Sequence, residues 1–196
     1  MEVFMSTTQP IRDLKELESF KNYYLETQPN IRNHTLITIG INTALRISDI
    51  LALTWGQVYH FETKTFYKYI HIKEQKTGKD TRIAMNKTVQ DAFFRYLNSL
   101  ESPQPQHYIF CGWKPERPLC RSQAFRIIKN AGKEQHLSEH ISCHSLRKTF
   151  GYHAWNNGVS PVVLMLIYNH SSFEITKRYL GIEQEDKDAV FLNLNL

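Results

Sequence analysis

Two short polar segments lie near the carboxyl end of the chain: HSLRKTF at residues 144–150 and NHSSFEITKRYLG at residues 169–181. His144 and Arg147 are three residues apart, so on a helix they share one face. The segments together supply two histidines, an arginine and Tyr179, which is an unusual set for a small core. Such a set suits a site that holds a phosphate group and attacks it.

The composition is that of a single globular domain with a polyanionic partner. The chain has 196 residues, of which 41% are apolar and 22% charged, with a net charge of +5 and a pI near 9.0. Residues 182–196 hold four acids and one base, so the remainder carries 23 bases and 15 acids. The positive net charge of residues 1–181 favours nucleic acid as the binding partner. A basic protein without such a partner would carry the same charge.

The cysteines and the apolar runs indicate a cytoplasmic protein. Cys111, Cys120 and Cys143 are odd in number and lack the spacing of a metal site, which indicates reduced thiols. No signal peptide is recognisable, and the longest strongly apolar run, Val162 to Tyr168, is far too short to span a membrane. The sequence contains no glycine-rich phosphate loop, metal-binding cluster or dinucleotide fingerprint. We therefore expect no metal, no cofactor and no membrane partner.

Hydrophobic periodicity and capping residues predict a mainly α fold with a small three-stranded antiparallel sheet. One predicted helix starts near Ser48 as its N-cap, and the others cover residues 13–27, 31–43, 86–100, 121–135, 144–156, 161–168 and 172–180. Gly78 allows a turn between the last two of three predicted strands, at residues 58–61, 65–72 and 81–85. We expect a flexible leader at residues 1–12, one domain at 13–181 and a tail at 182–196.

Two segments in the first half of the chain complete a known pattern. TALRISDILALTW at residues 43–55 places Arg46 at the start of a helix with Asp49 three residues later, and QKTG follows at residues 75–78. Together with the two carboxyl-terminal segments they resemble, in order and spacing, the motifs of the tyrosine recombinase (phage integrase) family. The resemblance covers about residues 13–181 and implies the catalytic-domain fold of that family. It also implies a site-specific DNA recombinase that cleaves and rejoins duplex DNA through a covalent 3′-phosphotyrosyl intermediate.

The resemblance assigns roles to six residues. It implies that Tyr179 is the nucleophile, that Lys76 protonates the leaving 5′ oxygen, and that the phosphate is bound by Arg46, Arg147, His144 and His170. Free tyrosine has a pKa of about 10, so it needs a base or a strong positive field at neutral pH. Two arginine forks suit a transition state that gains negative charge, and a histidine can also move the proton of the nucleophile. This chemistry needs no metal or cofactor.

Other residues compete for these roles or add to them. Lys79, and after it Lys73, is the alternative hairpin lysine, and Tyr168 is interpreted as a core residue. Four further residues are candidates for contacts with DNA phosphates: Lys79, Arg121, Arg126 and Lys148. For Arg121 and Arg126, exposure on a solvated helix face explains the charge equally well.

The chain departs from the family pattern in two glycine positions and in length. Ala44 and Asn169 stand where glycine is common, and asparagine tolerates a left-handed backbone better than alanine does. The separate N-terminal DNA-binding domain that many members carry has no candidate here, so we expect a compact recombinase, a catalytic fragment or a degenerate relic. Fewer phosphate contacts predict weak and strongly salt-dependent DNA binding.

The resemblance also implies the partners. These are double-stranded DNA, further copies of the chain in a tetramer on DNA, and accessory DNA-bending or directionality proteins. The tail at residues 182–196 would dock on a neighbouring protomer or fold onto its own domain, and both alternatives stay open. Two other functions also stay open: a non-catalytic DNA-binding relic of the family, and a DNA relaxer similar to type IB topoisomerases. The complete set of six residues favours an active enzyme over a relic.

Overall fold

The structure is a computed structural model that describes residues 8–137, 140–180 and 191–192. Within these residues the chain forms eight α-helices: α1 (Leu14–Glu26), α2 (Ile31–Thr43), α3 (Ile47–Leu51), α4 (Lys87–Leu97), α5 (Arg121–Glu134), α6 (Cys143–Asn156), α7 (Pro161–Tyr168) and α8 (Phe173–Leu180). A 3₁₀ turn, Trp55–Gln57, follows α3. All eight lie where the periodicity predicts a helix, and the mainly α fold class is confirmed.

Local capping fixes most of the helix starts. The Asp13 carboxylate accepts hydrogen bonds from the backbone N–H groups of Lys15 and Glu16 at 2.8 and 2.9 Å, which begins α1. The Asn86 side chain accepts from the N–H of Val89 at 2.9 Å and begins α4 in the same way. Pro161 occupies the first turn of α7, where its missing N–H costs nothing. These starts follow from the sequence because each depends on neighbouring residues only.

The start of α3 differs from the prediction. Arg46 is its N-cap, so Ser48 lies inside the helix and is buried instead of capping it. The reason is Ala44, whose φ of 55° ends α2 in the left-handed conformation and turns the chain directly into α3.

The strands form two small antiparallel sheets instead of one sheet of three strands. β1 (Tyr59–His60) pairs with β2 (Thr65–Phe66), and β3 (Tyr69–Lys73) pairs with β4 (Asp80–Ala84). The predicted middle strand divides between Tyr67 and Lys68. The Tyr67 N–H donates to the carbonyl oxygen of Val58, whereas the Lys68 carbonyl accepts from the N–H of Met85, each at 3.0 Å. Because the two residues pair with opposite neighbours, no single strand runs through both.

The core surrounds α2, which packs against α1, α4 and α6. Trp55 is fully buried and contacts the Phe93 ring edge-on at a centroid distance of 6.0 Å, which joins the 3₁₀ turn to α4. A smaller cluster, with Leu164, Tyr168 and Leu180 at its centre, joins α7 and α8 to the end of α2. No helix in the described part of the chain is long and apolar enough to cross a membrane.

Residues 8–12, here called the N-terminal segment, belong to the predicted flexible leader, and the structure packs them against α6. Ile11 is 2% exposed, and its N–H donates to the Thr149 hydroxyl at 2.9 Å. Its carbonyl oxygen lies 3.0 Å from Nε2 of His153. The predicted tail at 182–196 lies outside the described residues except for Phe191 and Leu192, which are both exposed.

Candidate active site

The first turn of α6 carries two of the predicted site residues. The Ser142 hydroxyl accepts from the His144 N–H at 3.2 Å, and the Ser145 hydroxyl accepts from the Ser142 N–H at 3.0 Å. This reciprocal cap fixes the start of the helix. It leaves the His144 side chain exposed at the surface, whereas Arg147, one turn later, points inward and is 4% exposed.

Tyr168, the last residue of α7, fixes the Arg147 side chain. The guanidinium donates to the Tyr168 carbonyl oxygen at 3.3 Å and lies 4.8 Å above the Tyr168 ring. The Tyr168 hydroxyl donates in turn to the Arg147 carbonyl oxygen at 2.8 Å. Tyr168 is fully buried, and burial raises the pKa of its phenol. Its interpretation as a core residue is confirmed.

The Tyr179 phenol on α8 lies against the same residues. Its ring centroid is 5.0 Å from that of Tyr168 and 5.1 Å from that of His170. Burial raises the pKa of Tyr179, and the positive charges of Arg147 and Arg46 oppose that effect without cancelling it. The phenol is therefore protonated at neutral pH, and attack on a phosphate would require a group that takes its proton.

His170 is held in a form that can accept a proton. Asn169, at a φ of 59°, ends α7 in the left-handed conformation and turns the chain so that the His170 ring stacks on Tyr168 at 5.3 Å. The Thr176 hydroxyl donates to the Ser172 carbonyl oxygen, and its oxygen lies 3.1 Å from Nδ1 of His170. Nδ1 is then the donor, which leaves Nε2 as an acceptor. Burial, Arg147 and Arg46 lower the pKa of His170, so the ring is neutral at pH 7.

Arg46 is brought to the site from the first half of the chain, and it is paired there with a carboxylate. Its NH1 lies 2.6 Å from Oε2 of Glu74, which is 4% exposed. The Thr77 and Thr81 hydroxyls also donate to Glu74, at 2.7 and 3.3 Å. Burial alone would raise the pKa of Glu74, but the hydrogen bonds from Thr77 and Arg46 prevail and lower it.

Glu74 is absent from the predicted site residues, although the sequence contains a signal for it. It continues the alternation of β3, in which Ile70 and Ile72 face inward. A carboxylate at the next inward position of a strand is unusual and requires a partner. The partner is Arg46, which lies 28 residues away in sequence.

The turn between β3 and β4 carries Lys76. Gly78 adopts a φ of 68°, as predicted, and Asp49 accepts from the Gln75 N–H at 2.9 Å, which attaches the turn to α3. Lys76 is exposed, and its charge contributes to the lowered pKa of His144. Lys79, the alternative hairpin lysine, is differently placed, because its Nζ donates to Oδ1 of Asn169 at 2.6 Å.

The structure thus brings all six predicted site residues together around one surface. Partial desolvation lowers the pKa of the His144 imidazole. The positive charges of four nearby side chains lower it further: Arg147, Lys148, Lys76 and Arg46. Four cations around one imidazole form a strongly positive region that would attract a phosphate. Beside it, an open cleft of about 580 Å³ lies between the β3–β4 hairpin and α7. Among the described residues, no group of three His, Cys, Asp or Glu side chains is placed to hold a metal ion.

The predicted DNA contacts divide into two kinds. Arg121 and Arg126 are exposed on α5, and the charge of Arg121 reaches Cys143, whose pKa burial raises to about 11. Lys148 is only 9% exposed, and its Nζ donates to the Thr8 carbonyl oxygen at 2.6 Å. A contact of Lys148 with DNA phosphate does not fit this position. The signal for its burial, packing of the N-terminal segment on α6, is not local and could not be read from the sequence.

One exposed aromatic residue near α5 was not predicted. Trp113 is 98% exposed in the loop that an antiparallel bridge between Cys111 and Pro118 closes. The loop also carries Lys114, Glu116 and Arg117 and leads into α5. Exposed aromatic side chains near cations are common on surfaces that bind single-stranded nucleic acid, where the bases stack on them.

Comparison with known proteins gives one family. Residues 12–186 match the Phage integrase family. A probable integrase/recombinase of Bacillus subtilis, YoeC, is 36% identical over 187 residues, which are 95% of this chain and 97% of that protein. The chain spans 49% and 60% of the length of two further curated relatives.

Solved structures give the same fold. The crystal structure of XerA recombinase superposes with a TM-score of 0.75 at 18% identity, over 97% of this chain and 67% of that one. The Tn1549 transposon integrase, in complex with a circular intermediate DNA, gives a TM-score of 0.72 at 22% identity, over 99% and 68%.

Proposed function

Because the chain belongs to the phage integrase family, we propose that it is a tyrosine-type site-specific recombinase that cleaves and rejoins duplex DNA through a covalent 3′-phosphotyrosyl intermediate. The observation that carries the proposal is the environment of the Tyr179 phenol, which lies within the field of Arg147 and Arg46 and beside the His170 ring. A nucleophile, two phosphate clamps and a proton acceptor are thereby available in one place.

In this proposal the two arginines bind the scissile phosphate. Arg147 is rigid because Tyr168 contacts it through its carbonyl oxygen and its ring. The pair with Glu74 engages one nitrogen of Arg46, and a guanidinium has five N–H donors, so others remain for phosphate oxygens. His144, at the exposed start of α6, donates a further hydrogen bond to the phosphate.

The phenolic oxygen of Tyr179 attacks the phosphorus atom, and the bond from phosphorus to the 5′ oxygen breaks. His170 accepts the phenol proton at Nε2, and Lys76 gives a proton to the departing 5′ oxygen. The product is a 3′-phosphotyrosyl ester and a free 5′ hydroxyl. Rejoining reverses these steps with a second 5′ hydroxyl as the nucleophile, so the energy of the broken bond is retained in the ester.

The partner in this proposal is duplex DNA, bound by the positive surface around the site and by α5. We propose a tetramer on DNA, and docking of the tail at residues 182–196 on a neighbouring protomer or on its own domain stays an open prediction. Accessory proteins and a cytoplasmic location stay predictions. The solved Tn1549 integrase is a DNA complex, which is consistent with the DNA partner.

The test uses nicked suicide duplexes made from DNA that flanks the gene of this chain. A nick just to the 3′ side of the cleavage point lets the short fragment that carries the new 5′ hydroxyl diffuse away, so the covalent intermediate accumulates. We expect an SDS-resistant protein–DNA adduct in the presence of EDTA, its loss in Tyr179→Phe, and its retention in the control Tyr67→Phe, an exposed residue between β2 and β3 whose ring lies against His60. DNA binding without an adduct across all duplexes would favour the relic, and relaxation of supercoiled DNA without site preference would favour the topoisomerase-like function.

A further inference from the structure

Lys148 occupies an unusual position for a lysine. Its side chain is almost fully buried, and removal of an ammonium group from water is costly unless partners replace the water. Burial accordingly lowers the pKa of Lys148. Among the residues that the structure describes, no carboxylate pairs with it, so an ion pair does not explain its burial.

The Lys148 ammonium group contacts two other parts of the chain. Its Nζ donates to the Thr8 carbonyl oxygen at 2.6 Å. The same Nζ lies 5.6 Å from the centre of the Tyr179 ring, within the range of a cation–π contact. Lys148 therefore joins the N-terminal segment to the residue that the proposed function makes the nucleophile.

The N-terminal segment is well fixed where it meets Lys148. The Ile11 N–H donates to the hydroxyl of Thr149, the neighbour of Lys148, and the Ile11 carbonyl oxygen lies next to His153 one turn further along α6. Pro10 and Ile11 are both buried. The position of the Thr8 carbonyl is thus set by packing on α6 and does not depend on Lys148 alone.

The geometry points to a positioning role: we propose that Lys148 holds the Tyr179 ring in its reactive orientation, and that the N-terminal segment holds Lys148 in place through the Thr8 carbonyl. The catalytic part of this inference rests on the proposed function, whereas the positioning part concerns the protein without DNA. It follows that residues before α1 act on the reactive tyrosine although they lie more than 160 residues away in sequence.

Other groups act on Tyr179 and must be kept constant in any test. Arg147 reaches it from α6, Arg46 from α3, Tyr168 from the end of α7, and His170 from the turn before α8. Lys148 differs from the two arginines because the proposed mechanism gives it no phosphate to bind. Its removal should therefore affect the orientation of Tyr179 and leave the direct phosphate contacts of Arg46, Arg147 and His144 in place.

The test compares substitutions with truncations. Lys148→Met removes the charge and keeps the length, and a buried charge replaced by an apolar side chain of similar volume generally leaves a protein folded. Lys148→Arg keeps the charge, and Lys15→Met on the exposed face of α1 is the control. Deletion of residues 1–9 removes the Thr8 carbonyl, and deletion of residues 1–6 keeps it.

The first readout is the rate of adduct formation on the suicide duplex. We expect Lys148→Met and the 1–9 deletion each to slow it roughly tenfold, with no further loss when they are combined, because both break one chain of contacts. Lys148→Arg should restore most of the rate, and Lys15→Met and the 1–6 deletion should match the wild type. Wild-type rates in Lys148→Met would overturn the inference. Full additivity of the two changes would overturn the link to the N-terminal segment.

The second readout needs neither DNA nor catalysis. In protein labelled with 3-fluorotyrosine, the ¹⁹F resonance of Tyr179 is assigned by its loss in Tyr179→Phe. We expect Lys148→Met and the 1–9 deletion to shift this resonance in the same direction, and the two controls to leave it in place. A shift without any wild-type adduct would uphold the positioning role and refute the proposed function. An unshifted resonance in Lys148→Met would refute the positioning role even if adducts form.

Discussion

Arg46 reaches the site with one of its nitrogens already bound to a carboxylate. Glu74 accepts hydrogen bonds from Arg46 and from two threonines of the β3–β4 hairpin, so one buried acid joins α3 to the turn that carries Lys76. A buried carboxylate of this kind fixes the orientation of the groups that bind it more than it adds to the net stability of the fold. Its consequence is that the positions of a phosphate clamp and of the proposed general acid depend on the same side chain.

The role of Lys76 can be separated from that of Lys79 by the leaving group. We expect Lys76→Met to slow cleavage by about 100-fold or more, because the 5′ oxygen then departs without a proton. A substrate with sulfur in place of that oxygen leaves without protonation, so it should restore the rate. Lys79→Met should show no such selective rescue, since Lys79 is held against Asn169. Cleavage rates on oxygen and sulfur substrates decide the matter, and rescue of Lys79→Met alone would reverse the assignment.

The pairing of Glu74 predicts a pH-dependent stability. Its pKa is lowered in the folded protein, so its contribution is present above the unfolded pKa of about 4.3 and is lost as the pH falls through the folded value. Solvent around the partly exposed Arg46 weakens the ion pair, so we expect Glu74→Gln to cost about 2 kcal/mol of unfolding free energy at pH 7. The cost should be smaller at pH 3. Urea unfolding at both pH values measures this.

The control is Asp91→Asn, which removes an exposed ion pair with Lys87. It should cost less than about 0.5 kcal/mol at pH 7. An equal cost of Glu74→Gln at both pH values would contradict the pH dependence.

At the scale of elements, most helix starts could be predicted, whereas the start of α3 and the division into two sheets could not. The starts of α1 and α4 depend on the neighbouring residues Asp13 and Asn86, so the local sequence contains their signal. The division of the middle strand between Tyr67 and Lys68 depends on pairing with Val58 and Met85, which lie on either side of the strand. The left-handed turns at Ala44 and Asn169 fall at the two positions where the family commonly has glycine, and the structure explains that preference.

Close packing of α6 on α7 and α8 requires Gly151. A Cβ atom at this position would overlap the Tyr168 hydroxyl and the Leu180 side chain, both fully buried. We therefore expect Gly151→Ala to cost about 1–3 kcal/mol of unfolding free energy and to displace Tyr168 from Arg147. Gly112→Ala is the control, because its Cβ would meet only the Leu119 side chain, at an ordinary contact distance of 3.9 Å. Equal stability of the two variants in urea would contradict this account of the packing.

At the scale of the whole molecule, the site is assembled from distant parts of the chain. Arg46 and the hairpin come from the first half, and α6 to α8 come from the second. The motifs predicted which six residues meet, because their order and spacing resemble a known family. The alternation of β3 marks Glu74 as an inward carboxylate but does not name its partner Arg46, and the burial of Lys148 depends on the N-terminal segment.

The exposed cations of α5 should contribute to DNA binding as a surface and not as part of the reaction. We expect the double variant Arg121→Gln, Arg126→Gln to weaken binding and to reduce the slope of log K against log salt by about two. The control removes equal charge from α1 and α4 by Lys15→Gln, Arg95→Gln and should leave the slope unchanged. Fluorescence anisotropy at several salt concentrations measures both, and equal slopes for the two variants would place the DNA elsewhere.

The most direct test of the central claim is to identify the residue that carries DNA after cleavage. The trapped adduct is digested with protease and nuclease, and the modified peptide is sequenced by mass spectrometry. Our account predicts a nucleotide joined through its 3′ phosphate to the phenolic oxygen of Tyr179, in the peptide that contains α8. A nucleotide on Tyr168, on Tyr152 or on any other side chain would contradict it.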